Sequence, residues 1–137
     1  MLKNPKNKEF QPIPSKTEGV GKLVLDNAYK VHSALGPGLL EAVYEACLAH
    51  EIRQSGVLVE TQVALPVFYK DIRVESGLRL DVLVDKSVIV EVKSVEKWNQ
   101  LFEAQLLTYL KMSGVRLGFL INFNVLHLKD GIRRMVV

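Results

Sequence analysis

The chain has one cysteine, Cys47, among 137 residues, which excludes an intrachain disulfide and a thiolate zinc cluster. No apolar run is long enough to cross a bilayer, and the first residues lack the continuous apolar block of a secretory leader. The expectation is a cytoplasmic protein with no membrane partner. The three histidines, His32, His50 and His127, are scattered with no shared metal spacing and read as surface or capping residues. Cys47 sits in an apolar helical stretch and reads as packing rather than as a nucleophile. There is no Walker-type glycine loop, no G-x-S-x-G and no Ser-His-Asp pattern, so neither a nucleotide cradle nor a covalent nucleophile is signalled. These absences narrow the chemistry towards metal-assisted hydrolysis.

The hydrophobic fraction of 48% and the charged fraction of 24% are those of an ordinary globular protein. The length suits one domain with a real core. A net charge of +3 and a pI near 9.0 are compatible with an acidic polymer as partner, although Lys and Arg are not gathered in one run.

From Met1 to about Thr17, Pro5, Pro12 and Pro14 stand among Lys, Asn and Ser without periodicity, which predicts a flexible arm over 1–17 and a domain over 18–137. Val20, Leu23, Val24, Asn27, Val31 and Leu35 recur at three- and four-residue intervals, the spacing of a helix. Gly36-Pro37-Gly38 breaks it. A second helix is expected from Leu39 to about Gln54, with Leu40, Val43, Cys47 and Leu48 on one side and Gly56 as its stop. Val57 to Lys70 reads as one strand weakened at Pro66. Strands follow at Leu78–Val84 and Val88–Lys93, a helix at Trp98–Ser113 stopped by Gly114, and strands at Leu117–Phe123 and Ile132–Val136. Such an order predicts an α/β fold, a mixed sheet flanked by helices, with the crossing helix allowing the strands on either side of it to run parallel.

A hairpin centred on Lys86 places Asp81 directly opposite Glu91. Opposed side chains in an antiparallel pair have Cβ atoms roughly 4.5–5.5 Å apart, and like charges there repel. Both acids are embedded in Val, Leu and Ile, where an unpaired carboxylate is costly. A divalent cation relieves that cost, and Mg²⁺ or Mn²⁺ with its preference for oxygen suits the donors. Side chains alternate along a strand, so Glu91 and Lys93 share one face and Val92 takes the other. Lys93 then stands where it can hold or deprotonate a water aimed at phosphorus. The bland alternative is a salt-bridge cluster of Asp81, Glu91 and Lys93. Glu41, in the first turn of the second helix, either meets the helix dipole there or reaches the same metal as a third carboxylate. Tyr44 reads as a packing residue with a bonded hydroxyl. Gln105 and Tyr109 are one helical turn apart. Tyr109 is readable as core. An amide at Gln105, among Phe102, Leu106 and Leu107, needs partners and could orient a water or hold a phosphate oxygen. Arg79, Lys97, Lys111 and Arg116 read first as solvated charges.

Four motifs follow one another in register. Gly38-Leu39-Leu40-Glu41-Ala42-Val43-Tyr44 matches GxxExxY, followed by Gly77-Leu78-Arg79-Leu80-Asp81, Val90-Glu91-Val92-Lys93 and Gln105-Leu106-Leu107-Thr108-Tyr109. From about Val20 onward the chain resembles the GxxExxY family of the PD-(D/E)XK nuclease superfamily, in its RecB-like branch. Leu80 stands where the superfamily name has proline. The resemblance implies a restriction-endonuclease-like fold and a metal-dependent nuclease acting on nucleic acid, DNA before RNA. It implies Glu41, Asp81 and Glu91 around Mg²⁺ or Mn²⁺, Lys93 at the nucleophile, and Gln105 and Tyr109 as accessory residues. A homodimer, or a subunit of a larger assembly, is compatible with the small size. The alternative is a non-catalytic module binding nucleic acid or protein on the same fold.

Overall fold

The computed structural model describes residues 11–137. Most of the arm expected over 1–17 therefore lies outside the described residues, and its last three, Ser15 to Thr17, are already helical. The first helix, α1, spans Ser15–Leu35 and buries Val20, Val24, Ala28 and Val31 along one stripe. It stops at Gly36, whose φ of 68° is readily adopted without a side chain. Arg116 is not a free charge: it donates to the carbonyls of Gln11, Pro12 and Val137, tying the segment before α1 to the C-terminal strand.

Helix α2 covers Glu41–Gln54, close to its expected bounds, but its inner face is Tyr44, Leu48, Ala49 and Ile52. Of the expected face, Leu48 is buried and Cys47 packs against the core, but Leu40 and Val43 are exposed, because Tyr44 takes the inner position. Its hydroxyl donates to the Gly36 carbonyl at 2.6 Å and accepts from the Leu39 amide at 3.1 Å, while its ring stacks on Phe123 at 4.6 Å. A buried, bonded tyrosine sets the rotation of the helix, and Leu40 is left 76% exposed just ahead of it.

Past Gly56, the single strand expected over 57–70 is two strands. β1 is Val59–Ala64 and β2 is Val67–Tyr69, parted at Leu65-Pro66 because proline offers no ladder donor. β2 pairs with β3, Ile72–Val74, an unforeseen strand, to make a separate two-stranded ribbon. β4 (Arg79–Val84) and β5 (Val88–Lys93) form the expected hairpin, then come α3 (Leu101–Ser113), β6 (Leu117–Asn122) and β7 (Ile132–Val136). α3 starts three residues later than its periodicity suggested.

The main sheet has five strands in the order β1-β4-β5-β6-β7. Only β5 and β6 are parallel, as the crossover through α3 requires. α1 and α2 cover one face, over Val82, Val84, Val88, Val90, Val92, Phe119 and Ile121. α3 covers the other, where Leu106, Tyr109 and Leu110 meet Leu80, Ile89 and Leu120. Gly118 lets it approach: a Cβ there would lie 3.1 Å from Leu106 and 3.3 Å from the Ile89 carbonyl oxygen. The fold is thus the mixed sheet between helices that the order of elements predicted.

Candidate active site

The β4–β5 hairpin is centred on Lys86, pairing Val84 with Val88, Leu83 with Ile89 and Val82 with Val90. Asp85 and Lys86 form the turn at positive φ of 50° and 53°. The ladder ends at Val82 and Val90. One step further the strands are joined by side chains instead: the Asp81 amide donates to Glu91 Oε1 at 3.3 Å, and the Val92 amide donates to Asp81 Oδ2 at 2.9 Å. Asp81 and Glu91 therefore face each other as the register argument required. β1 opens at the same level. Its pairing with β4 skips Gln62, which adopts a φ of 52° opposite Asp81. Positive φ is uncommon for a residue other than glycine and collects at functional sites.

Glu91 is only 5% exposed. Burial first, and then the charge of Asp81, push its carboxyl up to about 9, with the Asp81 amide and the Lys93 ammonium offsetting part of the rise. Val92 enters the core under α1 and α2, so Lys93 returns to the Glu91 face. Its Nζ lies 4.7 Å from the centre of the Phe102 ring on α3. No ion pair joins Asp81, Glu91 and Lys93 among the described residues, so the salt-bridge cluster is not what is formed. Tyr109 is the nearby phenol from α3. Burial raises its pKa, and the charges of Glu91 and Asp81 raise it further.

Glu41 is not brought into this pair. Its Oε1 accepts from the Ser94 amide at 3.3 Å, one residue past Lys93, and the Ser94 hydroxyl bonds to the Leu39 carbonyl. Three backbone amides, of Asp81, Val92 and Ser94, thus each take a carboxylate oxygen at this end of the strands. Among the described residues no group of three or more His, Cys, Asp and Glu side chains is close enough to hold a metal ion. Gln105 is exposed, with Phe102, Leu101 and Asn99 lining the same shallow depression, so the buried amide in need of partners is corrected. The turn of the helix puts Leu106 inward and carries Gln105 to its rim.

Two residues near the site were given no role from the sequence. Glu45, one helical turn after Glu41, accepts from Gln62 Nε2 at 2.7 Å. Burial raises its pKa, the Gln62 bond lowers it, and Asp81 and Glu41 raise it again, so its carboxyl feels the charge of both acids. The four-residue spacing from Glu41 was the available signal. Asn122 at the end of β6 is buried and grips Val95 through both amide atoms at 3.1 Å, fixing the segment after Lys93. A polar residue closing an apolar strand was the only sign.

A hard divalent cation suits this donor set. A buried carboxylate held near 9 beside a second carboxylate, with no cation paired to either among the described residues, is the electrostatic problem such an ion relieves. An acidic site with one lysine, at the open end of a mixed sheet between helices, defines a protein of restriction-endonuclease-like build. The chain belongs to the PD-(D/E)XK nuclease superfamily, whose family profile matches residues 18–135. Nucleases of that superfamily typically use divalent metal ions. No curated protein and no solved structure matches the chain. No described helix is long and apolar enough to cross a membrane.

Proposed function

We propose that the protein is an active Mg²⁺- or Mn²⁺-dependent nuclease of the GxxExxY type, in the RecB-like branch, that hydrolyses phosphodiester bonds, preferentially in DNA. What carries the reading is the Asp81–Glu91 pair, joined across β4 and β5 with Lys93 on the same face as Glu91. Asp81 and Glu91 would hold the ion, with Glu41 and Glu45 the nearest further carboxylates. When bound, the ion supplies Lewis-acid stabilisation of the charge that develops on the phosphate.

The chain's own groups do the rest. Lys93 Nζ donates to a water and aligns it with phosphorus, its reach limited by the Phe102 ring beneath it. Gln105, on the exposed rim of α3, donates its amide to a phosphate oxygen. Tyr109 backs Glu91 from the interior. The protein acts in the cytoplasm, as a homodimer or as a subunit of a larger assembly.

The test is cleavage of labelled DNA by Asp81→Ala, Glu91→Ala and Lys93→Ala variants, with circular dichroism as the control for folding. Each should lose Mg²⁺- or Mn²⁺-dependent cleavage while keeping its spectrum; undiminished cleavage by all three would overturn the reading. A non-catalytic binding module is the second reading. The observation in its favour is that no three acidic side chains close around one point among the described residues. Duplex binding without product across a range of metals and substrates would establish it.

A further inference from the structure

The β2–β3 ribbon is the part of the described chain that the body explains least. It leaves the sheet at Leu65-Pro66 and returns at Ser76-Gly77, so that β4 and Asp81 follow directly. Its base is fixed: the Leu65 amide donates to the Leu78 carbonyl at 3.0 Å, and the Ser76 hydroxyl bonds to the Leu65 carbonyl. Beyond that base both strands lie open. Phe68 is 67% exposed and Tyr69 61%, with Ile72 and Val74 also exposed. An isolated two-stranded hairpin is marginal in water, and large apolar side chains left bare on one imply a partner.

The two rings point to opposite faces of the ribbon, and each has a cation beside it. Arg73, paired with Phe68 across the strands, lies 5.8 Å from its ring centre, and Lys70 lies 5.4 Å from that of Tyr69. Asp71 and Glu75 balance those cations, and Arg73 Nε is bonded to Glu75 at 2.8 Å. With those charges offset, the ribbon offers phosphate little net attraction, so what it presents to a nucleic acid is chiefly its ring faces, which a duplex with stacked bases cannot use. Exposed aromatic faces flanked by guanidinium and ammonium groups suit unstacked bases, for which stacking is the main attraction.

We propose that this ribbon is a single-strand-binding arm: Phe68 and Tyr69 stack unpaired bases of a nucleic acid strand leading into the site on β4. The favoured substrate is then one with a single-stranded stretch, such as an overhang, flap or junction. The inference rests on the nuclease reading and sharpens its substrate.

The experiment measures binding of a fluorescent single-stranded 20-mer and of a blunt duplex to the full chain in chelator, and cleavage of both with Mn²⁺. Phe68→Ala/Tyr69→Ala should weaken single-strand binding at least about tenfold, from stacking worth roughly 1–3 kcal/mol per base, and leave the duplex within twofold. Phe68→Trp/Tyr69→Trp should restore it, whereas Phe68→Leu/Tyr69→Leu, which keeps apolar bulk, should not. Single-strand binding unchanged in the alanine and leucine variants would overturn the arm while leaving the nuclease reading intact. So would restoration by leucine, or a shift from dimer to monomer in sedimentation with binding unaltered, since the ribbon would then be a protein contact. If the wild type neither binds nor cleaves either probe, both proposals fall.

Discussion

The two halves of the β4–β5 pair adjoin and are opposite in character. Near the turn, Val82, Val84, Val88 and Val90 are fully buried and the backbone ladder is complete. At the other end the ladder gives way to carboxylates, and Gln62 on the neighbouring strand leaves the β conformation. Backbone groups that pair with one another ask nothing of the side chains, so valine can fill the first half. Where the strands part, amides are freed, and acids that accept from them can be kept inside the protein. The intact half provides stability, and the parted half accepts an electrostatic penalty in exchange for chemistry.

The contrast is tested most strongly by Glu91→Gln, which keeps shape and removes charge. Cleavage should fall by about 10³-fold, the order seen when one charge-stabilising group is lost, and melting should show no loss of stability at pH 8. Ile89→Ala, in the intact half, should do the reverse. Removing a fully buried side chain beneath α3 costs about 3 kcal/mol, read by denaturant unfolding, with the activity of the folded fraction within a few-fold of wild type. Equal stability losses in the two variants would erase the distinction between the halves.

The pH dependence follows from the same acid. In the folded, metal-free chain the Glu91 carboxyl is raised to about 9 from an ordinary value of 4.5. Between those values the unfolded chain has released a proton that the folded chain keeps. Stability from this group is complete below about 4.5 and is lost as pH rises towards 9. Denaturation at intervals from pH 5 to 9 should show wild type losing stability relative to Glu91→Gln, and Mn²⁺ should reverse the loss in wild type alone. Smaller effects are expected around the rim. Gln62→Ala should lower activity several-fold by freeing Glu45. Phe102→Leu should lower it by only two- to five-fold, since a cation–π contact at a partly exposed site is worth about 0.5–1 kcal/mol.

Much of this was legible before any coordinates. The hairpin centre at Lys86, the bounds of β7 and the parallel crossover through α3 follow from alternation, turn residues and chain length. So did Glu91 and Lys93 sharing a face, with Val92 on the other. The β2–β3 ribbon was hidden because strands of three exposed residues carry no burial pattern. The inner face of α2 was misread because Tyr44 is held there by Gly36, Leu39 and Phe123, two of them across a break in the helix and one from the far end of β6. Gln105 was set in the core because its apolar neighbours in sequence are not its neighbours in space.

The residues alone determined the three helices, the β4–β5 hairpin and which acids lie opposite each other, because helix and strand periods and a short turn act within a dozen positions. Only the tertiary structure decided where the ladder opens, that Glu45 and not Glu41 is the acid held by Gln62, and that Lys93 rests on Phe102 rather than on a carboxylate. Those outcomes depend on how α2 and α3 seat against the sheet, and thus on contacts between segments far apart in the chain that no local pattern encodes.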